Sequence, residues 1–158
     1  MTTSRPFERG PYLSAAFLCE KILVEQDGVK SAIRIIDRVT HTVSAPSPPE
    51  TMPPFNYDIC LFLRFKSGWA RGPLPLRITL VKPSGDSPAP MHQTIHFEGE
   101  EDRGVDIVVN MRITLEMTGI YWFMIDLDNV RITQVPMRLV YVPQITQTGG
   151  GTGGQSPA

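Results

Sequence analysis

The chain is short of what marks a nucleic-acid binder, a membrane span or a common hydrolase. Fifteen Lys and Arg stand against sixteen Asp and Glu, a formal charge of −1. The basic excess that displaces counterions from phosphates is missing, so nucleic acid is not an expected partner. No run approaches the ~18 apolar residues that cross a bilayer as a helix, and Met1 to Gly10 has no apolar signal core. The expectation is a cytoplasmic chain with no membrane span. Cysteine is scarce, with only Cys19 and Cys60 present. Neighbouring strands of a sandwich could pair them, but the favoured reading is two reduced, buried thiols acting as small hydrophobes. The three histidines are His41, His92 and His96. No Ser sits in a G-x-S-x-G elbow, and no Gly-rich loop opens a helix to cradle phosphate. No catalytic residue and no cofactor are expected. Helical periodicity is absent as well.

What the chain has is proline and a period of two. Its 15 prolines among 158 residues are nearly twice the usual ~5%. Proline is kept out of helix interiors and central strands, so this count implies many loops between short strands. The clearest alternation is Val105, Ile107, Val109, Met111, Ile113 and Leu115, with Asp106, Asn110, Arg112 and Thr114 between them. Such spacing puts one set of side chains on a buried face and the other in water.

Similar segments run the length of the chain. Tyr12 to Glu25 and Val29 to Val43 are separated by Gln26-Asp27-Gly28, a hairpin signal because Gly accepts the positive φ of a tight turn. Both faces of the first run carry apolar residues, which predicts burial on both sides. Residues 44–54 hold five prolines and predict a stiff extended loop between sheets. Strands are predicted from Tyr57 to Phe65, around Leu76 to Leu80, from Met91 to Glu98 and from Val105 to Leu115. Gly119 to Ile125 is apolar on both faces and reads as a central, doubly buried strand. Asp126 to Asn129 turns into Val130 to Thr133, and Val135 to Val142 completes the set. Eight or nine strands at this spacing predict an all-β fold, an antiparallel two-layer β-sandwich of about eight strands, immunoglobulin-like or C2-like. The domain spans 12–143, between a flexible segment at 1–11 and a disordered Gly-rich tail at 144–158.

Two groupings point to metal chemistry. His92, Thr94, His96 and Glu98 share one strand face, yet residues four apart on a strand lie roughly 13 Å apart, too far for one ion. A solvated face is the simpler account. Glu98, Asp102, Asp126 and Asp128 supply carboxylates from two loops, as a calcium site requires. Asp also serves tight turns by local hydrogen bonding, which explains the same residues without an ion. Lys30, Arg34 and Arg38 would make a basic stripe on one strand and read as a solvated face. Trp69 and Arg71, between Gly68 and Gly72, pair an aromatic with a guanidinium in a loop, the composition that interfaces enrich. Trp69 could instead fold back as a lid over the core; both readings stay open.

Two segments resemble an uncharacterised family of small bacterial β-sandwich proteins. One runs from Ala16 through Asp27-Gly28 to Arg38; the other is Gly119 to Asp128, followed by a strand through Pro136 and Val140. With the Lys82-Pro83-Ser84-Gly85 turn, the likeness spans about residues 12–142. It implies a sandwich fold and a bacterial, intracellular setting, and supplies no catalytic motif. The proline loop and the glycine tail depart from that pattern.

The resulting expectation is a non-enzymatic binding or interaction module that meets a protein partner through Trp69 and Arg71. The alternatives are a calcium- or metal-dependent C2-like module using Asp126, Asp128, Glu98 and Asp102, and a structural subunit that forms a homo-oligomer through an exposed edge strand.

Overall fold

The structure is a computed structural model that describes residues 8–147. Among these residues the chain forms nine strands: β1 (Tyr12–Val24), β2 (Lys30–Ile35), β3 (Arg38–Ala45), β4 (Phe55–Lys66), β5 (Arg71–Val81), β6 (Met91–Glu98), β7 (Gly104–Leu115), β8 (Gly119–Leu127) and β9 (Val130–Ile145). One sheet has the order β2-β1-β4-β7 and the other β3-β9-β8-β5-β6. All neighbours are antiparallel except β3 and β9, which run parallel. The fold is an all-β sandwich of two sheets.

Alternation along the strands builds the two inner walls. Val105, Ile107, Val109, Met111, Ile113 and Leu115 lie opposite Phe65, Leu63, Leu61, Ile59, Tyr57 and Phe55 of β4. From the other sheet Leu76, Ile78, Leu80, Tyr121, Phe123, Ile125 and Leu127 complete the same core. The Tyr121 hydroxyl accepts from the backbone N–H of Glu116 (3.1 Å) and Met117 (3.3 Å) and donates to the Met117 carbonyl (3.0 Å). This is a tyrosine corner, in which a buried phenol satisfies the backbone of the turn before its own strand. β8 is central but, apart from Asp126, fully buried on its inner side only. Its alternate residues Ile120, Trp122 and Met124 are half-buried, because no third layer covers the outer face.

Both predicted hairpins form. Gly28 has φ 83°, and Asp128 and Asn129 have φ 47° and 61°, as a turn with two left-handed central residues requires. The single strand expected over Val29–Val43 is instead two strands in opposite sheets. Ile36 and Asp37 carry the chain across: Ile36 N–H bonds the Leu18 carbonyl (2.8 Å), and Arg138 N–H bonds the Asp37 carbonyl (3.0 Å). Alternation cannot see this break, since its period continues on either side. Conversely, the two segments expected from Val130 to Val142 form one continuous strand.

The first sheet rolls. β1 pairs with β4 from Tyr12 to Cys19 and with β2 only from Cys19 onward. Lys30 on β2 is level with Val24 of β1, and Asp106 on β7 with Arg64 and so with Ala15. Three strand spacings across and nine residues along would set them roughly 33 Å apart if the sheet were flat. Their Nζ–Oδ2 distance is 2.8 Å, so the β1–β2 hairpin lies over the outer face of the sheet. Beneath it Cys19 and Cys60 are both 0% exposed and Phe62 is 5% exposed. This second small core accounts for the two-sided burial expected of β1. The two thiols face each other as register partners and are free.

Residues 46–54 join the sheets, as expected of the proline loop, with Met52 buried and the Pro49 carbonyl accepting from the Tyr141 hydroxyl (2.7 Å). β9 continues through Gln144 and Ile145, opposite Ser44 and Ala45, so the strand extends past the boundary expected at 143. The expectations for 1–7 and 148–158 lie outside the described residues.

Candidate functional site

One end of the sandwich is built from three segments: Glu8 to Pro11, the β4–β5 turn at Ser67 to Ala70, and the β6–β7 loop at Gly99 to Arg103. Within the segment 1–11 that the sequence reads as flexible, the Arg9 carbonyl accepts from Trp69 N–H at 2.8 Å. Ser67 N–H bonds the Arg103 carbonyl (2.9 Å), and Lys66 Nζ bonds the Asp102 carbonyl (2.8 Å). Two glycines permit this approach. A Cβ on Gly68 (φ 55°) would lie 2.6 Å from the Arg9 carbonyl oxygen, and one on Gly10 (φ 91°) 2.7 Å from that of Ser67.

The three segments display Trp69. Its side chain is 61% exposed, which removes the reading of a lid over the core. It is nevertheless held: Nε1 donates to Glu101 Oε1 at 2.8 Å, and the Arg9 guanidinium carbon lies 4.9 Å from the ring centroid. Arg71 is exposed at the start of β5, and its stem lies over Gly99, where a Cβ would meet Arg71 Cγ and Nε at 2.4 Å. Glu98, the register partner of Arg71, pairs instead with Arg103, which also meets Glu100 (3.2 Å). The Arg71 guanidinium therefore has no carboxylate partner among the described residues. Trp69 in the β4–β5 turn and Arg71 at the start of β5 both meet the β6–β7 loop, at Glu101 and at Gly99.

The four carboxylates of the calcium alternative are not brought together. Asp126 is buried on the outer face of the second sheet, where it accepts from Arg131 Nε (2.5 Å) and Arg77 Nη2 (3.0 Å). Those guanidiniums, Arg131 first, hold its carboxyl below the usual range despite burial. Glu98 lies opposite Arg71 and Asp126 opposite Arg77, six residues along β5 and so about 20 Å apart. Asp128 sits in its turn, and Asp102 contributes a backbone carbonyl to Lys66. Among the described residues no three His, Cys, Asp or Glu side chains gather as a metal site would need. His92 and His96 lie exposed opposite Arg77 and Pro73.

The basic stripe disperses. Lys30 binds Asp106, Arg34 reaches Glu20 (3.3 Å), and Arg38 belongs to the other sheet. Asp106 also takes a two-pronged bond from Arg64, Nε at 2.7 Å and Nη2 at 2.8 Å. That contact, then Lys30, holds its carboxyl down at about 2. Burial pushes the Cys60 thiol up to about 12, with Cys19 adding to the effect, so it stays protonated and a poor nucleophile at neutral pH. Reading the sequence missed Arg9 and Glu101 as partners of Trp69, since neither stands in a periodic pattern.

The model of a family of unknown function (DUF6941) matches residues 14–140. No curated protein matches the chain. Among solved structures, the chain is similar to the CARDB domain of the PF1109 protein from Pyrococcus furiosus, solved in complex with di-metal ions. That likeness has 12% identity, 85% of this chain, 91% of that one and a TM-score of 0.40. It is also similar to the Pseudomonas fluorescens alkylpurine DNA glycosylase AlkC, bound to DNA containing an abasic site analog (13% identity, 63% of this chain, 27% of that one, TM-score 0.36). A third is an immunoglobulin-like protein, PA1606, from Pseudomonas aeruginosa (10% identity, 80% and 97% covered, TM-score 0.32). At these scores the likenesses carry no argument about a site, and the fold rests on the strand order and register above.

Proposed function

The chain belongs to the DUF6941 family, a family of unknown function, and from that premise we propose that it is a non-catalytic module that captures a protein partner through Trp69 and Arg71. The observation that supports this reading is a large aromatic that is 61% exposed yet fixed on both its indole N–H and its face. An aromatic held in place loses little rotamer freedom on binding, so most of its burial against a partner appears as affinity. Arg71 adds unpaired, planar donors suited to a carboxylate or a carbonyl pair at the rim. Two free, buried thiols suit a reducing compartment and favour a cytoplasmic setting.

Quantitative pull-down with isotope-labelled cell extract tests the reading. Wild type and the Trp69→Ala/Arg71→Ala variant should show the same circular dichroism and melting temperature, while the partner is enriched by wild type alone. Equal recovery of every protein by a folded double variant would remove Trp69 and Arg71 as the anchors.

A further inference from the structure

β1 and β9 each lose a neighbour along the same side of the sandwich. β3 joins β9 only from Arg138 onward, so Thr133 to Met137 pairs with β8 alone. Likewise β2 joins β1 only from Cys19, leaving Tyr12 to Leu18 paired with β4 alone. Between these two half-free edges runs a groove of about 520 Å³, with Phe17, Ile120 and Pro136 among the apolar residues of its lining. Its upper end is the Ile36–Asp37 crossing, where the chain itself bonds both banks through Leu18 C=O and Arg138 N–H. A short extended segment below that crossing would continue the line of β3.

The charge in the groove is what identifies the occupant. Arg38 and Arg138 are register partners on adjoining parallel strands, and both line the groove. Six other arginines (34, 64, 77, 103, 112 and 131) engage carboxylates. Arg38 and Arg138 engage none among the described residues, and neither does Asp37, the one carboxylate in the lining. The groove thus holds two cations against one anion, with free backbone edges beside them. Pro136 has no N–H to offer an added strand, but its carbonyl and both backbone groups of Gln134 remain.

We infer that this groove binds an acidic peptide in extended form, as a short added strand whose carboxylates meet Arg38 and Arg138. Recognition by strand addition draws affinity from main-chain bonds and selectivity from alternate side chains. Two arginines lining one groove supply that selectivity for acid, with the steep salt dependence of exposed charge.

The probe is a fluorescein-labelled, end-capped octapeptide alternating valine and glutamate, followed by fluorescence anisotropy on the whole chain. Saturable binding is expected, weakened about tenfold or more in Arg38→Gln/Arg138→Gln, a loss of roughly 1.4 kcal/mol. Binding should fall with added salt, and fail when lysine replaces glutamate or alternate amides are N-methylated. Arg71→Ala should leave it unchanged, which separates this groove from the Trp69 end. No saturation up to about 1 mM, equal binding by the lysine peptide, or equal binding by the folded double variant would overturn the inference. Two further results would replace the occupant and so overturn it too. One is competition by free glutamate at the peptide's own concentration. The other is a concentration-dependent dimer whose formation protects Gln134 from hydrogen exchange.

Discussion

Removing the charge of Asp106 should loosen the β1–β2 hairpin from the sheet it covers. The carboxylate is 12% exposed and joins three strands: Arg64 of β4 grips it with two bonds, and Lys30 of β2 reaches it from across the sheet. Its pKa stands at about 2 in the fold against an ordinary 3.8. At ~1.4 kcal/mol per pH unit, the ionised form contributes about 2 kcal/mol of stability. Because the folded value is the lower one, this contribution is full above about pH 4 and disappears as pH falls towards 2. Asp106→Asn keeps the volume but cannot ionise. Urea unfolding at pH 7 should therefore place the variant about 2 kcal/mol below wild type, and at pH 2.5 the gap should have closed by more than half. Asp58 and Asp126 are also held below their usual range by arginines, but they titrate in both proteins and cancel in the difference. A gap that stayed constant between the two pH values would show that Asp106 acts through packing, and the electrostatic account of the hairpin would fail.

The Tyr121→Phe variant should lose about 1–3 kcal/mol in chemical denaturation, since two backbone N–H groups and one carbonyl lose their partner. A loss under ~0.5 kcal/mol would mean that solvent replaces the phenol freely. Native protein at pH 8 should not react with Ellman's reagent, and two thiols should appear on unfolding in guanidinium, because both are buried and raised above the usual thiol range, chiefly by burial. Rapid reaction of either thiol in the native state would contradict the closed hairpin. Gly68→Ala forces a Cβ to within 2.6 Å of the Arg9 carbonyl oxygen at φ 55°. It should cost about 1–3 kcal/mol and quench-shift Trp69 fluorescence towards that of free indole; an unaltered spectrum and melting curve would show that Arg9 does not hold the ring.

Strand-rich architecture was legible because alternation is a local property. The wall from Val105 to Leu115, the Asp27-Gly28 and Asp128-Asn129 turns and the proline crossing each need only a few neighbouring residues to specify them. The turn that carries Trp69 was also legible, from the glycines on either side, but whether the ring would be displayed or folded back was not. Nor were its holders. Arg9 and Glu101 reach Trp69 from 60 and 32 positions away, and only a folded chain brings three loops to one end of a sandwich.

By itself, then, the order of residues determined which segments extend, where they turn and which face of each is greasy, since these follow from side-chain period and backbone preference. Tertiary structure alone decided that Val29 to Val43 divides between two layers. It also decided that Asp126 is consumed by Arg77 and Arg131, and that Cys19 and Cys60 vanish beneath a folded-over hairpin. The physical reason is the same in each case. Strand pairing and ion pairing are settled by partners distant in the chain, and a period of two is identical whichever partner a strand finally meets.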